Sequence, residues 1–355
     1  MMVKDAVVMC AGSGLGLWPL TENTPKPLIR ILGKSILRRI VEGLALAGIE
    51  NAYFVTCYLE EKVMEEAREA CRDAGMKPFF IRQESAKGTA DAVKCARDRI
   101  AGPFMVASGD HVLDVSIYGD MARAFSGKSL VALKRVKNPS NYGVAEVNNG
   151  IISAMVEKPK EPRTNLANIG VYLFSQDVFD ELENVALSQR NEYEITDILK
   201  GKQAFITEKY WLDVGLPWML LDAMGFLFKA QKEAQTIEKG AVVENSRLRG
   251  NVYIGKGCVI RDSGIMDSCV EEGCRMEKSE VDNSVIGKGA SVLSSRVSCS
   301  IAGNGAGIEN AVLQSTDKTK IMTRKGERTS PSRFGSVIGD GAKAGGIVPP
   351  GSLIV

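Results

Sequence analysis

Glycines and a lysine near the N-terminus have the types and spacing of a phosphate-binding loop. The segment 10–28, CAGSGLGLWPLTENTPKPL, follows a short apolar run and places a glycine at every second position from 12 to 16. Glycine lets backbone N–H groups come close to an anion because it has no side chain to keep the anion away. A proline on either side stiffens the backbone around Lys26, which lowers the entropy cost of holding its ammonium group at a fixed point. We therefore expect a phosphate loop here, with an ordinary surface lysine as the alternative for Lys26.

The spacing of these glycines excludes the two common nucleotide-binding motifs. It is not the GxGxxG of dinucleotide-binding folds, and no GxxxxGK[ST] occurs anywhere in the chain. The loop is therefore expected to bind phosphate in another type of α/β protein.

Length and charge describe a globular protein without a field that would hold a polyanion. The 355 residues predict about two domains, and 45 Lys and Arg against 43 Asp and Glu leave a net charge of +2. We expect no binding to nucleic acid and none to an anionic membrane. No uncharged apolar stretch reaches the ~18 residues that a membrane span needs, and the N-terminus lacks the apolar core of a secretory signal. The predicted location is cytoplasmic.

The first two thirds of the chain predict an α/β fold. Up to about residue 232, short β-rich runs alternate with helical patterns, which favours a mostly parallel sheet covered by helices. Early strands are expected at 7–9, 52–57, 79–81 and 104–107. Between the first two, apolar residues recur on one face of a helix that begins after Ser35.

The pattern changes after residue 236, where Ile, Val and Gly recur at steps of six. The strings IGKG at 254, IGKG at 286 and IGDG at 338 mark this repeat. We interpret it as a parallel β-helix in which each short strand presents one aliphatic residue to a shared core, with a β-sandwich as the alternative. The predicted domains are therefore 1–232 and 237–355.

Residues 314–335 break the repeat and are rich in basic side chains. A solvated, mobile insertion is the favoured interpretation, and an anion site is the alternative.

The chain resembles the nucleotide-sugar pyrophosphorylases, or sugar-1-phosphate nucleotidylyltransferases, whose opening signature is roughly AGGxGTRLxPLTxxxPKPL. Residues 10–28 match most of this signature. Seven further motifs follow in the family's order: QESAKGTADAV at 83–93, SGDH at 108–111, NYGVAEV at 141–147, VEKP at 156–159, NIGVYLF at 168–174, EYEITDIL at 192–199 and WLDVGLPWML at 211–220. The resemblance implies a Rossmann-like nucleotidyltransferase domain followed by a left-handed parallel β-helix of hexapeptide repeats.

The resemblance also implies a role for individual residues. Catalytic roles fall on Lys26, Asp110, Lys158 and Asp213. Nucleotide binding falls on Ala11, Gly12, Ser13, Gly14, Lys26, Gln83, Gly88, Thr89 and Asp110. Sugar binding falls on Gly143, Glu157, Lys158 and Asn168. The metal ligands would be Asp110 and Asp213, and the cofactor Mg²⁺.

Physical chemistry supports several of these roles. Asp110 follows the apolar run PFMVAS and Asp213 follows Trp211 and Leu212, so each carboxylate is expected at a strand end, where open α/β sheets bind ligands. Two aspartates that converge from distant sequence would give Mg²⁺ the oxygen ligands it prefers. Lys158 precedes a proline and is expected to point toward a sugar phosphate, with an exposed ion pair to Glu157 as the alternative. We do not expect His111 to act as a base, since the attacking sugar phosphate is already an anion.

The chain departs from the family pattern at two places. Leu15 and Gly16 stand where the signature has Thr and Arg, and no Arg occurs before residue 30. Losing one preorganised contact of this kind costs about 10²–10³ in rate, so Gly16→Arg is expected to raise turnover. In the tail, no histidine follows His111, so we expect no histidine-dependent acetyl transfer.

The sequence thus predicts a Mg²⁺-dependent transfer of a nucleotidyl group, from UTP or dTTP, to a hexose-1-phosphate with release of pyrophosphate. The alternative is a catalytically impaired, nucleotide-sugar-binding regulatory subunit that assembles with an active relative. The apolar edges of the β-helix predict a homo-oligomer, with a mixed assembly also open.

Overall fold

A computed structural model describes residues 3–231 and 233–355 of the chain. The chain divides into two compact units that are interleaved in sequence. One contains the segment that ends at Gly12 together with Leu37–Asp213, and the other contains Ser13–Ile36 together with Val214–Val355. The boundary residue Lys232 lies outside the described residues, and the predicted domain bounds, 1–232 and 237–355, remain a prediction.

The strands and helices up to residue 231 have the following bounds. The strands are β1 Asp5–Met9, β2 Arg30–Ile31, β3 Lys34–Ser35, β4 Asn51–Thr56, β5 Lys77–Arg82, β6 Phe104–Ser108, β7 His111–Leu113, β8 Leu130–Arg135, β9 Gly143–Asn148, β10 Ile151–Glu157, β11 Leu166–Phe174, β12 Gln203–Ile206 and β13 Trp211–Asp213. The helices are α1 Ile36–Leu46, α2 Glu60–Ala74, α3 Thr89–Lys94, α4 Ser116–Ala124, α5 Val178–Leu182 and α6 Trp218–Ala230. Short 3₁₀ turns lie at Leu15–Leu17, Lys26–Leu28, Arg97–Arg99, Pro139–Asn141 and Ile195–Ile198.

The first unit is built on one sheet with the strand order β5-β4-β1-β6-β11-β8-β12-β10-β9. β5, β4, β1 and β6 run parallel, as the βαβ pattern predicts. The sheet is nevertheless mixed rather than mostly parallel, because β11 runs antiparallel to both of its neighbours and β9 and β10 form a hairpin. Asn149 and Gly150 at the hairpin turn both have positive φ, the backbone that tight antiparallel turns require. The Rossmann-like nucleotidyltransferase sheet therefore combines a parallel half with a half in which most pairs are antiparallel, the exception being β8 with β12.

The repeat region carries short strands throughout. They are β14 Gln235–Ile237, β15 Val242–Glu244, β16 Arg247–Ile254, β17 Val259–Arg261, β18 Gly264–Val270, β19 Arg275–Glu277, β20 Glu280–Asp282, β21 Val285–Ile286, β22 Ser291–Leu293, β23 Arg296–Ser298, β24 Ile301–Ala302, β25 Gly307–Leu313, β26 Lys320–Thr323, β27 Gly326–Thr329, β28 Val337–Ile338, β29 Lys343–Val348 and β30 Leu353–Ile354.

Most of these strands pair in parallel at a constant offset, which is consistent with a β-helix. Arg275 pairs with Ser291, and Ser291 pairs in turn with Gly307, at the same separation in sequence. The buried aliphatic positions do not follow a strict step of six: Ile254, Ile260, Ile265 and Val270 advance by six, five and five. Met266, which the six-residue step places in the core, is 41% exposed for this reason.

Residues 314–335 form a folded hairpin that is mostly exposed to solvent, as a solvated insertion predicts, but it is anchored by a few buried side chains. β26 and β27 pair antiparallel, and both Ile321 and Phe334 are buried. The phenyl ring of Phe334 packs edge-on against Trp218, so this segment has an apolar base of its own.

Six of the eight cysteines are buried, and the cysteines of the described chain form no disulfide. Within residues 3–231 and 233–355, no helix combines the length and the apolar composition needed to cross a lipid bilayer.

Candidate active site

Asp110 lies where the two central parallel strands of the first unit end. β1 and β6 pair with Met9 opposite Ser108, and the Gly109 N–H donates to the Met9 carbonyl at 2.9 Å. A Cβ at residue 109 would lie 2.6 Å from that carbonyl oxygen, so only glycine permits the approach. Asp110 is thereby placed beside Cys10, the residue that leads into Ala11 and Gly12. Burial, and next the charge of Asp110, raise the pKa of the Cys10 thiol.

Asp213 reaches the same place from a segment that lies 103 residues later in the sequence. β7 and β13 pair antiparallel with Asp213 opposite His111. One ligand atom from each of Asp110, His111 and Asp213 lies within 4.8 Å of the others. The structure therefore brings together the two carboxylates that the sequence predicts as metal ligands.

His111 contacts both this carboxylate cluster and a tryptophan. The indole N–H of Trp211 donates to Nδ1 of His111 at 3.1 Å, and Nε2 of His111 lies 3.3 Å from Oδ1 of Asp110. An indole nitrogen can only donate, so Nδ1 is the acceptor and the imidazole proton is on Nε2, facing the carboxylate. Both ring nitrogens are engaged in this arrangement, which lets His111 hold the orientation of the Asp110 carboxylate.

A cleft with a volume of about 160 Å³ opens next to Asp213. Its lining residues are Thr89, Ser108, His111, Asn141, Tyr142, Gly143, Glu157, Lys158, Asn168, Gly170, Tyr172, Arg190, Glu192, Glu194, Ile195, Thr196, Trp211 and Asp213. The cleft thus contains all of the predicted sugar-binding residues. Burial, and next the charge of Asp213, raise the pKa of Tyr142 to about 12, so its hydroxyl stays protonated at neutral pH.

Gly143 keeps the floor of the cleft open. A Cβ at this position would lie 2.8 Å from Cγ2 of Thr196 and 3.0 Å from Oε2 of Glu157. Any side chain here would therefore displace the carboxylate or fill the space beside it. Asn168 at the other side of Gly143 accepts from the Gly170 N–H at 3.1 Å and donates to the Tyr172 hydroxyl at 2.7 Å, which fixes its amide.

Lys158 leaves β10 through a left-handed backbone, with φ of 44°. Its N–H donates to the Tyr142 carbonyl at 3.0 Å, and its ammonium lies 3.5 Å from Oε1 of Glu157. Positive φ is uncommon for a residue other than glycine, and at Lys158 it turns a half-exposed ammonium toward the cleft.

Arg190 is a second cation in the cleft, and the sequence reasoning missed it. Its guanidinium lies 3.2 Å from Glu157, 3.2 Å from Glu194 and 3.4 Å from Glu192. Burial, and next the charge of Glu157, raise the pKa of the Glu194 carboxyl, while Arg190 opposes this rise. Arg190 stands two residues before the motif EYEITDIL, and this adjacency is the signal that could have found it.

The predicted base-reading residues lie together at the start of α3. The Gln83 amide nitrogen donates to Asp91 at 2.6 Å, and the side chain is buried. Its donor is therefore occupied within the protein. Gly88, with φ of 118°, packs its α-carbon against the backbone of Tyr193 so closely that no side chain fits. Thr89 accepts from the Ile195 N–H at 3.0 Å, which ties α3 to the segment that carries Arg190.

Ser13, Gly14 and Lys26 belong to the second unit. Gly14 has φ of 66°, and its carbonyl accepts from the Thr21 hydroxyl at 2.9 Å. At Gly16 a Cβ would overlap the carbonyl oxygen of Gly215. An arginine at position 16 would therefore have to displace a backbone atom, and this overlap opposes the gain in turnover that the sequence predicts for Gly16→Arg.

Comparison with known families matches most of the first two thirds of the chain. A family model described as nucleotidyl transferase matches residues 5–230. The "Bifunctional protein GlmU" of Methanocaldococcus jannaschii is 36% identical over 263 residues, which cover 72% of this chain and 61% of that protein. The "Low-salt glycan biosynthesis nucleotidyltransferase Agl11" of Haloferax volcanii is 31% identical over 252 residues, which cover 67% of this chain and 70% of that protein. The chain thus spans less than two thirds of the GlmU relative.

Solved structures agree on the fold of this region. A UDP-glucose pyrophosphorylase complexed with UDP-glucose has a TM-score of 0.58 at 26% identity and covers 65% of this chain and 100% of its own. A putative glucose-1-phosphate thymidylyltransferase from Bacillus anthracis has a TM-score of 0.56 at 25% identity and covers 63% of this chain and 95% of its own.

Proposed function

This chain belongs to the nucleotidyl transferase family, and we propose that it is a sugar-1-phosphate nucleotidylyltransferase. It would transfer a nucleotidyl group from UTP or dTTP to a hexose-1-phosphate and release pyrophosphate. The observation that carries the proposal is the convergence of Asp110 and Asp213 beside a cleft that also holds Lys158 and Arg190. Two carboxylates next to two cations are the groups needed to bind a metal and a phosphate at neighbouring positions.

Asp110 and Asp213 would hold Mg²⁺. The donor set fits this ion, because carboxylate oxygens from two strand ends converge and His111 fixes the orientation of one of them. When bound, Mg²⁺ would neutralise the negative charge that develops on the phosphates.

The cleft would bind the sugar-1-phosphate. Lys158 and Arg190 would supply positive charge for its phosphate, and Glu157, Gly143 and Asn168, which line the same cleft, would contact the sugar hydroxyls. A guanidinium that already lies within 3.4 Å of three carboxylates is held in place before the substrate arrives, which lowers the entropy cost of orienting the phosphate. A sugar-phosphate oxygen then attacks the α-phosphorus of the triphosphate, and the bond to the departing pyrophosphate breaks.

The nucleotide roles rest on the sequence. Ala11, Gly12, Ser13 and Gly14 would donate N–H groups to the nucleotide phosphates and Lys26 would add charge. Gln83, Gly88 and Thr89 would contact the base, for which Gln83 must exchange its bond to Asp91 or use its carbonyl oxygen.

The proposal also covers the fold of the repeat region and the oligomeric state of the chain. We propose that residues 237–355 form a left-handed β-helix of the hexapeptide type, supported by the parallel pairing at a constant offset, and that the chain forms a homo-oligomer. The absence of histidine after His111 supports a β-helix without histidine-dependent acetyl transfer.

The second candidate is a nucleotide-sugar-binding regulatory subunit, favoured by one observation. Gly16 replaces the family arginine and leaves no room for any side chain. This candidate predicts binding without turnover.

Pyrophosphorolysis, which is the reverse of the proposed reaction, distinguishes the active enzyme from the regulatory subunit. The protein is incubated with Mg²⁺, pyrophosphate and UDP-glucose, dTDP-glucose or UDP-N-acetylglucosamine, and nucleoside triphosphate is measured. We expect turnover that is lost in Asp213→Asn and retained in Asp98→Asn, a matched change at an exposed aspartate outside the cleft. Binding of a nucleotide sugar with no triphosphate formed would favour the regulatory subunit.

A further inference from the structure

A hairpin from the repeat region contacts the segment that carries the glycine loop, and both belong to the second unit. β26 and β27 form this hairpin, which we name the basic hairpin, residues 320–329. It packs β26 against the 3₁₀ turn Leu15–Leu17. It also carries Lys320, Arg324, Lys325 and Arg328, so most of its charge is positive.

Arg324, at the tip of the basic hairpin, holds two side chains of the loop segment. Its guanidinium lies 2.9 Å from Oε2 of Glu22 and 4.8 Å from the ring centre of Trp18. The indole N–H of Trp18 donates to the same carboxylate oxygen. A cation that stacks on an indole and also pairs with a carboxylate restrains both side chains.

Thr323, next to Arg324, makes hydrogen bonds across the hairpin turn. The backbone that carries the Arg324 guanidinium is therefore ordered. The Thr323 hydroxyl donates to the Gly326 carbonyl at 2.9 Å and accepts from the Lys325 N–H at 3.1 Å. At the base, the Thr319 hydroxyl donates to the carbonyl of the fully buried Phe334. These bonds hold the tip relative to the repeat.

A second contact ties the loop segment to the coils themselves. The Thr24 hydroxyl donates to Asp340 at 2.6 Å and accepts from the Asn304 amide at 3.1 Å. Thr24 lies two residues before Lys26, and Glu22 lies one residue after Thr21, whose hydroxyl bonds Gly14. The repeat therefore restrains the backbone on which the proposed phosphate ligands lie.

We propose that the basic hairpin is a positioning element for the nucleotide-phosphate loop, and that Arg324 is its positioning residue. Arg324 acts through Trp18 and Glu22: it orders the loop before nucleotide binds, and its charge cancels that of Glu22, which would otherwise repel a triphosphate. This inference rests on the proposed function, because it assigns the loop to nucleoside triphosphate. It also gives a physical role to the segment that interrupts the repeat.

The test compares Michaelis constants for the two substrates. We expect Arg324→Ala to raise KM for MgUTP or MgdTTP by roughly tenfold to a hundredfold, the range for a displaced binding group, while KM for the sugar phosphate stays unchanged. Arg324→Lys should recover part of the loss, since it restores charge without the planar stacking surface. The matched control is Arg328→Ala on the same hairpin, which should change neither constant.

A double-mutant cycle separates positioning from simple stability. If Arg324 acts through Glu22, Arg324→Ala should cost less in a Glu22→Gln background, where no carboxylate is left unneutralised. Additive effects, or equal shifts in both Michaelis constants, would overturn the proposal. Thermal melts of each variant identify a folding defect, and in that event Arg324→Gln, which keeps a donor for Glu22 but removes the charge, is measured in the same cycle.

Direct binding distinguishes this inference from the proposed function. MgUTP and MgdTTP are titrated into the full chain by calorimetry. Wild type that binds neither nucleotide would remove the proposed function and this inference together. Wild type that binds, with Arg324→Ala binding equally well, would overturn the inference alone.

Discussion

Trp211 donates its indole N–H to Nδ1 of His111, which directs the other ring nitrogen of the histidine at Asp110. Trp211 and Asp213 lie on the same short strand, β13. One strand therefore supplies one of the two proposed metal ligands, Asp213, and also the indole that orients the other, Asp110, through His111. The rings of Tyr142 and His111 both pack edge to face against the indole of Trp211, so the positions of these three side chains depend on one another.

Trp211→Phe should weaken metal binding without removing a ligand. Phenylalanine keeps the ring contacts but has no N–H, so the His111 tautomer and the orientation of Asp110 are no longer fixed. We expect about a 10–100-fold loss in apparent Mg²⁺ affinity, the usual cost of an outer-shell change at a metal site. The measurement is the Mg²⁺ concentration at half-maximal turnover, with the melting temperature as control. An unchanged value would show that His111 does not orient the carboxylate.

Gly16→Ala should destabilise the protein. The added Cβ would meet the backbone carbonyl of Gly215, and overpacking against atoms that cannot rotate away costs about 1–3 kcal/mol. Gly12→Ala is the matched control, because nothing lies within 4 Å of its added Cβ. Urea unfolding of both variants tests the difference, and a Gly16→Ala protein as stable as the control would contradict the geometry.

Arg190→Ala should weaken binding of the sugar-1-phosphate without changing binding of the nucleoside triphosphate. Removing the guanidinium would take away a proposed phosphate ligand and leave Glu157 and Glu194 without their shared cation. We therefore expect KM for the sugar-1-phosphate to rise by about one to two orders of magnitude, as for the loss of a charged hydrogen bond. KM for the nucleoside triphosphate should not change. This selectivity is the reverse of that expected for Arg324.

Arg163→Ala is the control for that measurement. Arg163 is 85% exposed and pairs only loosely with Glu146, at 3.6 Å, which is the kind of surface ion pair that contributes little. If Arg190→Ala affected both substrates equally, its role would be structural support of the cleft.

Patterns that depend on near neighbours in sequence predicted much of this structure. The βαβ alternation located β1, β4, β5 and β6, and the position of Asp110 after an apolar strand was enough to place it at the carboxyl end of the parallel strands. These features can be predicted from the sequence because hydrophobic alternation and the end of a strand depend on residues that are neighbours in the chain. Asp213 does reach Asp110, but from a different position than the strand-end pattern predicts, because β13 pairs antiparallel with β7 in a separate two-stranded sheet.

Other features depend on partners that local patterns do not reveal. Arg190 lies in an irregular segment, and only the fold of β10 brings Glu157 to it. The antiparallel placement of β11 comes from tertiary pairing, since its apolar sequence suits a parallel or an antiparallel neighbour equally. The overlap at Gly16 arises from Gly215, which is remote in sequence. The spacing of the buried residues in the repeat region was also predicted incorrectly. Two of the three intervals between buried aliphatic positions are five residues rather than six, which makes the repeat irregular in the sequence.

Glu194 should make stability depend on pH. Burial, and next repulsion from Glu157, raise its pKa above the ordinary value of 4.5, so the folded protein holds this proton more tightly than the unfolded chain does. Between 4.5 and the raised pKa the native state binds more protons, and the free energy of unfolding falls as pH rises through that window. The protonated Glu194 carboxyl contributes fully to the free energy of unfolding below pH 4.5, and this contribution is lost above the pKa of the folded state. Its size is no more than about 1.4 kcal/mol for each tenfold difference in proton affinity between the folded and unfolded states.

Glu194→Gln removes this titration and keeps a side chain of similar size. Unfolding in urea at a series of pH values from 4 to 8 should show that wild type loses stability relative to the variant as pH rises through the window. Glu192→Gln, which changes a carboxylate that is 41% exposed and paired with the same Arg190, provides the matched control for loss of an ion pair. A wild-type curve that ran parallel to the Glu194→Gln curve across this range would show that Arg190 compensates the buried carboxylate fully.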